Sequence, residues 1–261
     1  MKNWSASNLN NLIDLLNESH DKFNSVAFIE HDPVSIPHEF SSKEDREIAG
    51  FLAATLAWGQ RITILKNTRL LLKHMDYAPY EFILGHQPTE LKSFKNFKHR
   101  TFNGEDAITF IRCLKKIYKY HGGLETIFTP INKEELITGK HISNAKALFF
   151  KSPHLVRTEK HFADPLRGSA AKRINMFLRW MVRSDKNGVD FGIWKSIQPS
   201  QLICPLDVHT GRVARKLKLL DRKQNDWTAA VELTQNLIRL NPVDPIRFDF
   251  ALFGLGVSGE F

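Results

Sequence analysis

Apolar positions along the chain recur mostly at helical spacing, and no run alternates apolar and polar residues convincingly enough to predict a strand. Leu9, Leu12, Ile13 and Leu16 fall on one face of a first helix, predicted over Ser7 to Asn24. Pro33 and Pro37 break the stretch that follows, so the chain to Phe40 is expected to be irregular. A second helix opens at Ser41 or Ser42, where Ser41 and Glu44 stand at capping-box spacing, and runs through Ile48, Leu52 and Leu56 to an end near Gly59. Helices are predicted next over Ile62 to His74, around Pro79 to Leu84, and over Glu105 to Tyr120, where Gly122 and Gly123 stop the last. One or two more are expected between Ser143 and His161, interrupted by Pro153.

From His161 the pattern reads as helix, tight turn and helix, the second carrying Ile174, Phe177, Leu178 and Met181 in one apolar stripe. Asp207 stands immediately before a helix over Val208 to Leu220, with Val213, Leu217 and Leu220 inward and Arg212, Arg215 and Lys216 outward. Asn225 or Asp226 caps the next helix, and Asp244-Pro245 starts the last, which runs to about Leu255. The predicted class is all-α.

The length of 261 residues suits one large domain or two small ones sharing a cleft, and 42% hydrophobic content is enough for a core. The amino terminus from Met1 to Leu16 has no apolar core with a cleavage site, and the longest apolar stretch, Phe51 to Trp58, is too short to span a bilayer. A cytoplasmic protein without membrane contact is therefore expected, nucleoid-associated and monomeric. The cysteines, Cys113 and Cys204, have no paired spacing and are expected to be small buried residues. His99, His121 and His209 recur at no ligand spacing, so neither a metal nor another cofactor is expected. The net charge of +9 is regional: residues 151–223 hold 16 Lys and Arg against 6 Asp and Glu, and the rest of the chain is nearly neutral. One basic region on a neutral body fits either a polyanion-binding face or a solubilising surface.

Two features within that region bear on chemistry. A short hairpin leading into a helix start presents unpaired N–H groups and the positive end of the helix dipole, which together favour a phosphate; Arg167-Gly168-Ser169-Ala170 suits that role. Equally, it suits an ordinary turn with a small capping residue. Lys172 lies on the first turn of the helix behind it, and Asp207 begins another helix 35 residues later. A neutral lysine amine is a nucleophile, and a carboxylate within reach can accept its proton or stabilise a cationic sugar. The plainer alternatives are a solvated helix lysine and a helix N-cap.

Leu166-Arg-Gly-Ser-Ala-Ala-Lys172 resembles the hairpin of endonuclease III and related glycosylases, Leu-Pro-Gly-apolar-Gly-x-Lys. Downstream, Pro205-Leu-Asp207-Val-His209-Thr-Gly-Arg212-Val resembles the Val-Asp-Thr-His-x-x-Arg-Val segment of the same helix-hairpin-helix DNA glycosylase superfamily. Upstream, Ala53-Ala-Thr-Leu-Ala-Trp58-Gly-Gln60 resembles the helix that ends at the cleft in Leu-Ser-x-Gln. The resemblance implies a two-lobed fold: a six-helix bundle over residues 41–203 and a second lobe from residues 1–40 and 204–261. It also implies Lys172 as nucleophile and Asp207 as catalytic carboxylate, facing each other across a cleft. Duplex DNA containing a damaged base is the implied partner, contacted by the hairpin and Gln60, with Arg173, His209 and Arg212 as neighbouring contacts.

Such an enzyme must extrude its target nucleotide, and Trp58, Phe102 and Trp194 are the aromatic residues considered for stacking on it. Ala170 replaces the second hairpin glycine, the interval from Lys172 to Asp207 is longer than in endonuclease III, and the four-cysteine cluster is missing. The longer interval is closer to the archaeal 8-oxoguanine glycosylases, and the chain is also similar to the bacterial DUF2400 proteins. The expected activity is excision of an oxidised purine such as 8-oxoguanine with AP lyase action; the alternative is a non-catalytic binder of damaged or branched DNA.

Overall fold

A computed structural model describes residues 6–130 and 136–259; residues 1–5, part of the terminus read above as lacking a targeting sequence, lie outside them, as do 131–135 and 260–261. Helix α1 spans Ala6–Phe23, and the stretch expected to be irregular contains two single-turn helices, α2 (Val26–Ile29) and α3 (Ser35–His38). Helix α4 (Lys43–Leu56) is capped by Ser42, whose Oγ accepts the Asp45 N–H at 3.2 Å. The working pair is thus Ser42 with Asp45, one residue beyond the Ser41–Glu44 spacing read from the sequence. Helices α5 (Arg61–Lys73), α6 (Pro79–Gly85) and α7 (Gly104–Tyr120) follow within two residues of the predicted bounds. A two-residue antiparallel hairpin, β1 (Lys98–His99) with β2 (Phe102–Asn103), precedes α7. Asn103 and Asp106 form a reciprocal capping box there, and Asp106 also receives Arg157 at 2.8 Å and Thr158 at 2.6 Å.

Helices α8 (Leu124–Phe128) and α9 (Gly139–Phe149) lead to a departure from the sequence reading. The helix expected before the hairpin is instead two short 3-10 segments, Val156–His161 and Pro165–Arg167. Helices α10 (Lys172–Val182), α11 (Val208–Lys216), α12 (Trp227–Leu240) and α13 (Phe248–Ser258) complete the chain. Among the described residues no helix is long and apolar enough to cross a membrane.

The stripe of α10 is buried as its spacing requires: Ile174, Phe177, Leu178 and Met181 are each at most 3% exposed. It packs on α4, where Gly50 leaves room for the Met181 methyl group. Around Phe51 of α4, the rings of Phe149, Phe162 and Phe177 sit at centroid distances of 5.5 to 5.7 Å. Burying a side chain of this size contributes roughly 1.5–3 kcal/mol, so this cluster fixes how α4, α9 and α10 meet. Helix α13 packs against both α1 and α11. Gly254 makes the α1 contact possible, because a Cβ there would lie 2.2 Å from the Phe23 ring. Both cysteines are buried, as expected.

Candidate active site

Lys172 is the first residue of α10, and Asp207 is the N-cap of α11. Thirty-five residues apart in sequence, they meet in space: Lys172 Nζ donates to Asp207 Oδ2 at 2.6 Å. The other carboxylate oxygen, Oδ1, accepts the His209 and Thr210 N–H groups, each at 2.9 Å. Burial pushes the Asp207 carboxyl up, but the Lys172 charge and hydrogen bond and the Thr210 N–H outweigh it and hold the group below the ordinary carboxylate range. Asn225 Nδ2 donates to the Asp207 carbonyl at 2.9 Å and steadies its backbone. Both side chains remain partly open to solvent, Lys172 at 34% and Asp207 at 17%, so a substrate can approach the pair.

Phe253 of α13 forms a wall of this site. Its half-buried ring lies 5.1 Å from Lys172 Nζ, 6.0 Å from the Arg61 guanidinium and 6.1 Å from the His209 ring. Arg179, two helical turns beyond Lys172, and Arg183, one turn further at the C-cap of α10, enter a buried ion network. Arg179 bonds Asp249 of α13 and reaches Asp190 at 3.2 Å; Arg183 reaches Asp190 at 3.1 Å and Asp244 at 2.9 Å. Burial raises the Asp249 carboxyl to about 6 against the opposing charges of Arg179 and Lys172. It raises Asp32 in the same direction, against Arg179, Arg61 and Lys172. Two guanidinium groups are shared among more carboxylates than they can neutralise, which is why burial prevails at Asp249 while Arg179 itself is held firmly charged.

The hairpin is built from short-range bonds. Asp164 Oδ1 accepts the Leu166 N–H at 3.1 Å and the Ser143 hydroxyl at 2.5 Å. Gly168 takes a left-handed conformation at φ 84°, and Ala171 does so at φ 48°. The latter is an uncommon place for a residue with a Cβ, and Ser169 Oγ supports it by accepting the Ala171 N–H at 3.1 Å. The Gly168 and Ser169 N–H groups close internally on the Pro165 and Asp164 carbonyls, so the donors a helix start leaves unpaired are those of the first turn of α10. Leu166, Arg167, Gly168 and Ser169 are exposed, whereas Ala170 is buried, with its carbonyl held by Asn175 at 3.1 Å. Trp227 N donates to the Gly168 carbonyl at 3.3 Å, which ties the hairpin to the start of α12.

Several residues expected at the nucleic-acid face are committed elsewhere. Arg173 turns inward and bonds the Thr55 carbonyl at the end of α4, because the last carbonyls of a helix need donors. His209 Nδ1 and Arg212 Nη2 both engage the Gly256 carbonyl, at 3.2 and 2.6 Å, although Arg212 stays exposed. Gln60 is exposed at the N-cap of α5 and makes no side-chain cap bond. Trp58 is half-buried between the Arg100 and Arg173 guanidinium groups, at 5.0 and 5.9 Å from its ring, and its buried Nε1 has no hydrogen-bond partner.

Phe102 and Trp194, considered for stacking, are core residues at 0% and 1% exposure. Trp194 packs on Phe128 and Phe177 and donates to Glu47 Oε1 at 2.7 Å. Neither ring has a free face. Phe253, Asp249, Asp32 and Asn225 were missed. The signal for one of them was present, since Asp249 is an acid inside the apolar run Phe248 to Phe253. Among the described residues no group of three or more His, Cys, Asp or Glu side chains is arranged to hold a metal ion.

Fold and site together define an all-helical protein in which a lysine and an aspartate from two helix starts meet beside an exposed hairpin. The family model described as "Protein of unknown function (DUF2400)" matches residues 32–258, and the chain belongs to that family. No curated protein and no solved structure matches it.

Proposed function

We propose that this chain is a bifunctional DNA glycosylase with AP lyase activity, acting on an oxidised purine such as 8-oxoguanine within duplex DNA. The observation that carries this reading is the 2.6 Å contact between Lys172 Nζ and Asp207 Oδ2, open to solvent and one turn behind an exposed, positively charged hairpin. On this reading the neutral Lys172 amine attacks C1′ of an extruded nucleotide. The C1′–N bond breaks, and the base leaves with its electron pair and takes up a proton. Asp207 accepts the proton released by the amine and stabilises positive charge developing on the sugar. Ring opening then leaves an iminium between Lys172 and C1′, from which the 3′ phosphate is eliminated.

The two-lobed helix-hairpin-helix arrangement belongs to the same proposal, with α1, α11, α12 and α13 as one lobe and the helices from α4 to α10 as the other. Exposed apolar side chains on the hairpin (Leu166, 68%), next to Asp207 in sequence (Val208, 70%) and in the first turn of α5 (Ile62, 83%) would supply surface for bases displaced from their stack. The hairpin and first turn of α10 hold a phosphate without reading sequence.

The test is borohydride trapping on a panel of duplexes, each containing a single lesion or an abasic site. Wild-type protein is expected to form a covalent adduct, and Lys172→Gln to lose it while still binding the duplex. Retained duplex binding with no adduct on any substrate would favour the non-catalytic binder instead.

A further inference from the structure

Away from Lys172, a cavity of about 430 Å³ opens between the C-terminal half of α7 and the Ser152–Pro153 turn after α9. That volume lies within the range of small-molecule sites. Arg112, Lys115, Lys116 and Lys119 line it from two successive turns of one helix, and no lining residue is acidic. Such spacing sets like charges against one another at i+3 and i+4, an arrangement that weakens a helix unless something neutralises it. Arg112 and Lys116 are exposed and paired with no carboxylate among the described residues; Lys115 reaches only the His86 carbonyl, at 3.5 Å, and Lys119 lies 5.2 Å from the ring of its neighbour Tyr120. These cations lie outside the basic stretch 151–223.

The floor has different chemistry from the rim. Cys113 is 1% exposed, and burial pushes its thiol up to about 12, so it acts as an apolar surface and not as a nucleophile. The aliphatic stems of the lysines extend this surface, and Tyr120, 63% exposed, stands at its edge. A cationic rim over an apolar floor with one exposed aromatic ring matches a ligand that is anionic at one end and flat and apolar at the other.

We propose that this cavity binds a nucleotide unit, with its phosphates on Arg112, Lys116 and Lys119 and its base over the Cys113 floor beside Tyr120. The unit can come from a free nucleotide or from an unpaired nucleic-acid strand, which share this chemistry. The site stands independently of any role for Lys172.

Calorimetric titration of the full chain with adenosine triphosphate, inorganic tripolyphosphate and a ten-nucleotide oligothymidylate tests it. At least one of the two nucleotide ligands is expected to bind saturably, and tripolyphosphate about tenfold or more weakly, the scale of one base stacked on an aromatic side chain. Arg112→Glu combined with Lys116→Glu should weaken nucleotide binding at least about tenfold while circular dichroism stays unchanged, since both positions are exposed on a helix. Tyr120→Ala should abolish the advantage over tripolyphosphate. Binding of the oligonucleotide alone would identify a strand as the source; binding of the free nucleotide as well would identify a mononucleotide site. Tripolyphosphate binding as tightly as both nucleotide ligands, insensitivity to the double charge reversal, or no saturable binding of either nucleotide would overturn the proposal.

Discussion

The two oxygens of Asp207 have different partners: Oδ1 belongs to the helix it caps and Oδ2 to Lys172. Stability and chemistry are therefore separable at this residue. Asn is as good an N-cap as Asp but cannot pair as an anion with Lys172, so Asp207→Asn should lower the urea midpoint slightly, the pair being partly solvent-exposed, while Asp207→Ala should lose about 1 kcal/mol more. Both remove the carboxylate, and under the proposed function both should slow adduct formation in single-turnover trapping by roughly 10²–10⁴. A normal trapping rate for the Asn variant would reduce Asp207 to a cap.

Lys172 and Asp207 were legible in the sequence because each stands at a motif position defined by its immediate neighbours. The inward bond of Arg173 was hidden for an equally local reason. Nothing near it in sequence announces that the end of α4 lies in reach with the Thr55 carbonyl unbonded. Aromatic residues pose a related difficulty: Phe102 and Phe253 are the same residue type, and only the packing around each decides that one is sealed in the core and the other lines the site.

At the scale of elements, α10 is fastened to its neighbours by two different means. Its apolar stripe meets α4, while Arg179 crosses to Asp249 on α13 and to Asp190 in the loop that follows α10. Removing the shared cation strands two buried carboxylates. Arg179→Met should therefore cost about 3–5 kcal/mol in denaturant unfolding, far more than a surface ion pair. A loss under about 1 kcal/mol would show that the carboxylates discharge by protonation without consequence for the fold. Most elements could be read from periodicity and caps, since those signals lie within one or two turns of chain. The 3-10 segments before the hairpin could not, because their apolar positions resemble those of a helix and only tertiary bonds such as Thr158 to Asp106 fix the tighter winding. The meeting of α13 with Lys172 was equally hidden, as it joins residues more than seventy positions apart.

For the whole molecule, buried ionisable groups make opposite contributions to stability across mildly acidic pH. Asp249 is raised to about 6, so the folded state retains its proton in a range where the unfolded chain has lost it, and stability falls as pH rises from about 4 to about 6. Burial lowers His161 to about 4 despite nearby Asp106, so the unfolded chain takes up a proton first, and stability falls as pH drops from about 6.5 toward 4. Each effect is of order 2–3 kcal/mol, and the two largely cancel in the wild type. Asp249→Asn should remove one side of this balance: the stability of wild type minus variant should decline by about 2 kcal/mol between pH 4.5 and 6.5 in urea unfolding. A difference that is flat or rises over that range would contradict the assigned shift.

Residues 225–227 touch both halves of the proposed catalytic pair's setting. Asn225 grips the Asp207 carbonyl, and two positions later the Trp227 amide holds the hairpin through Gly168. This short span works as a gauge block, setting the separation between the grip on a strand and the group that would act on it. An extra residue inserted there would put both ends out of step at once, leaving every side chain of the site intact and none of them aligned.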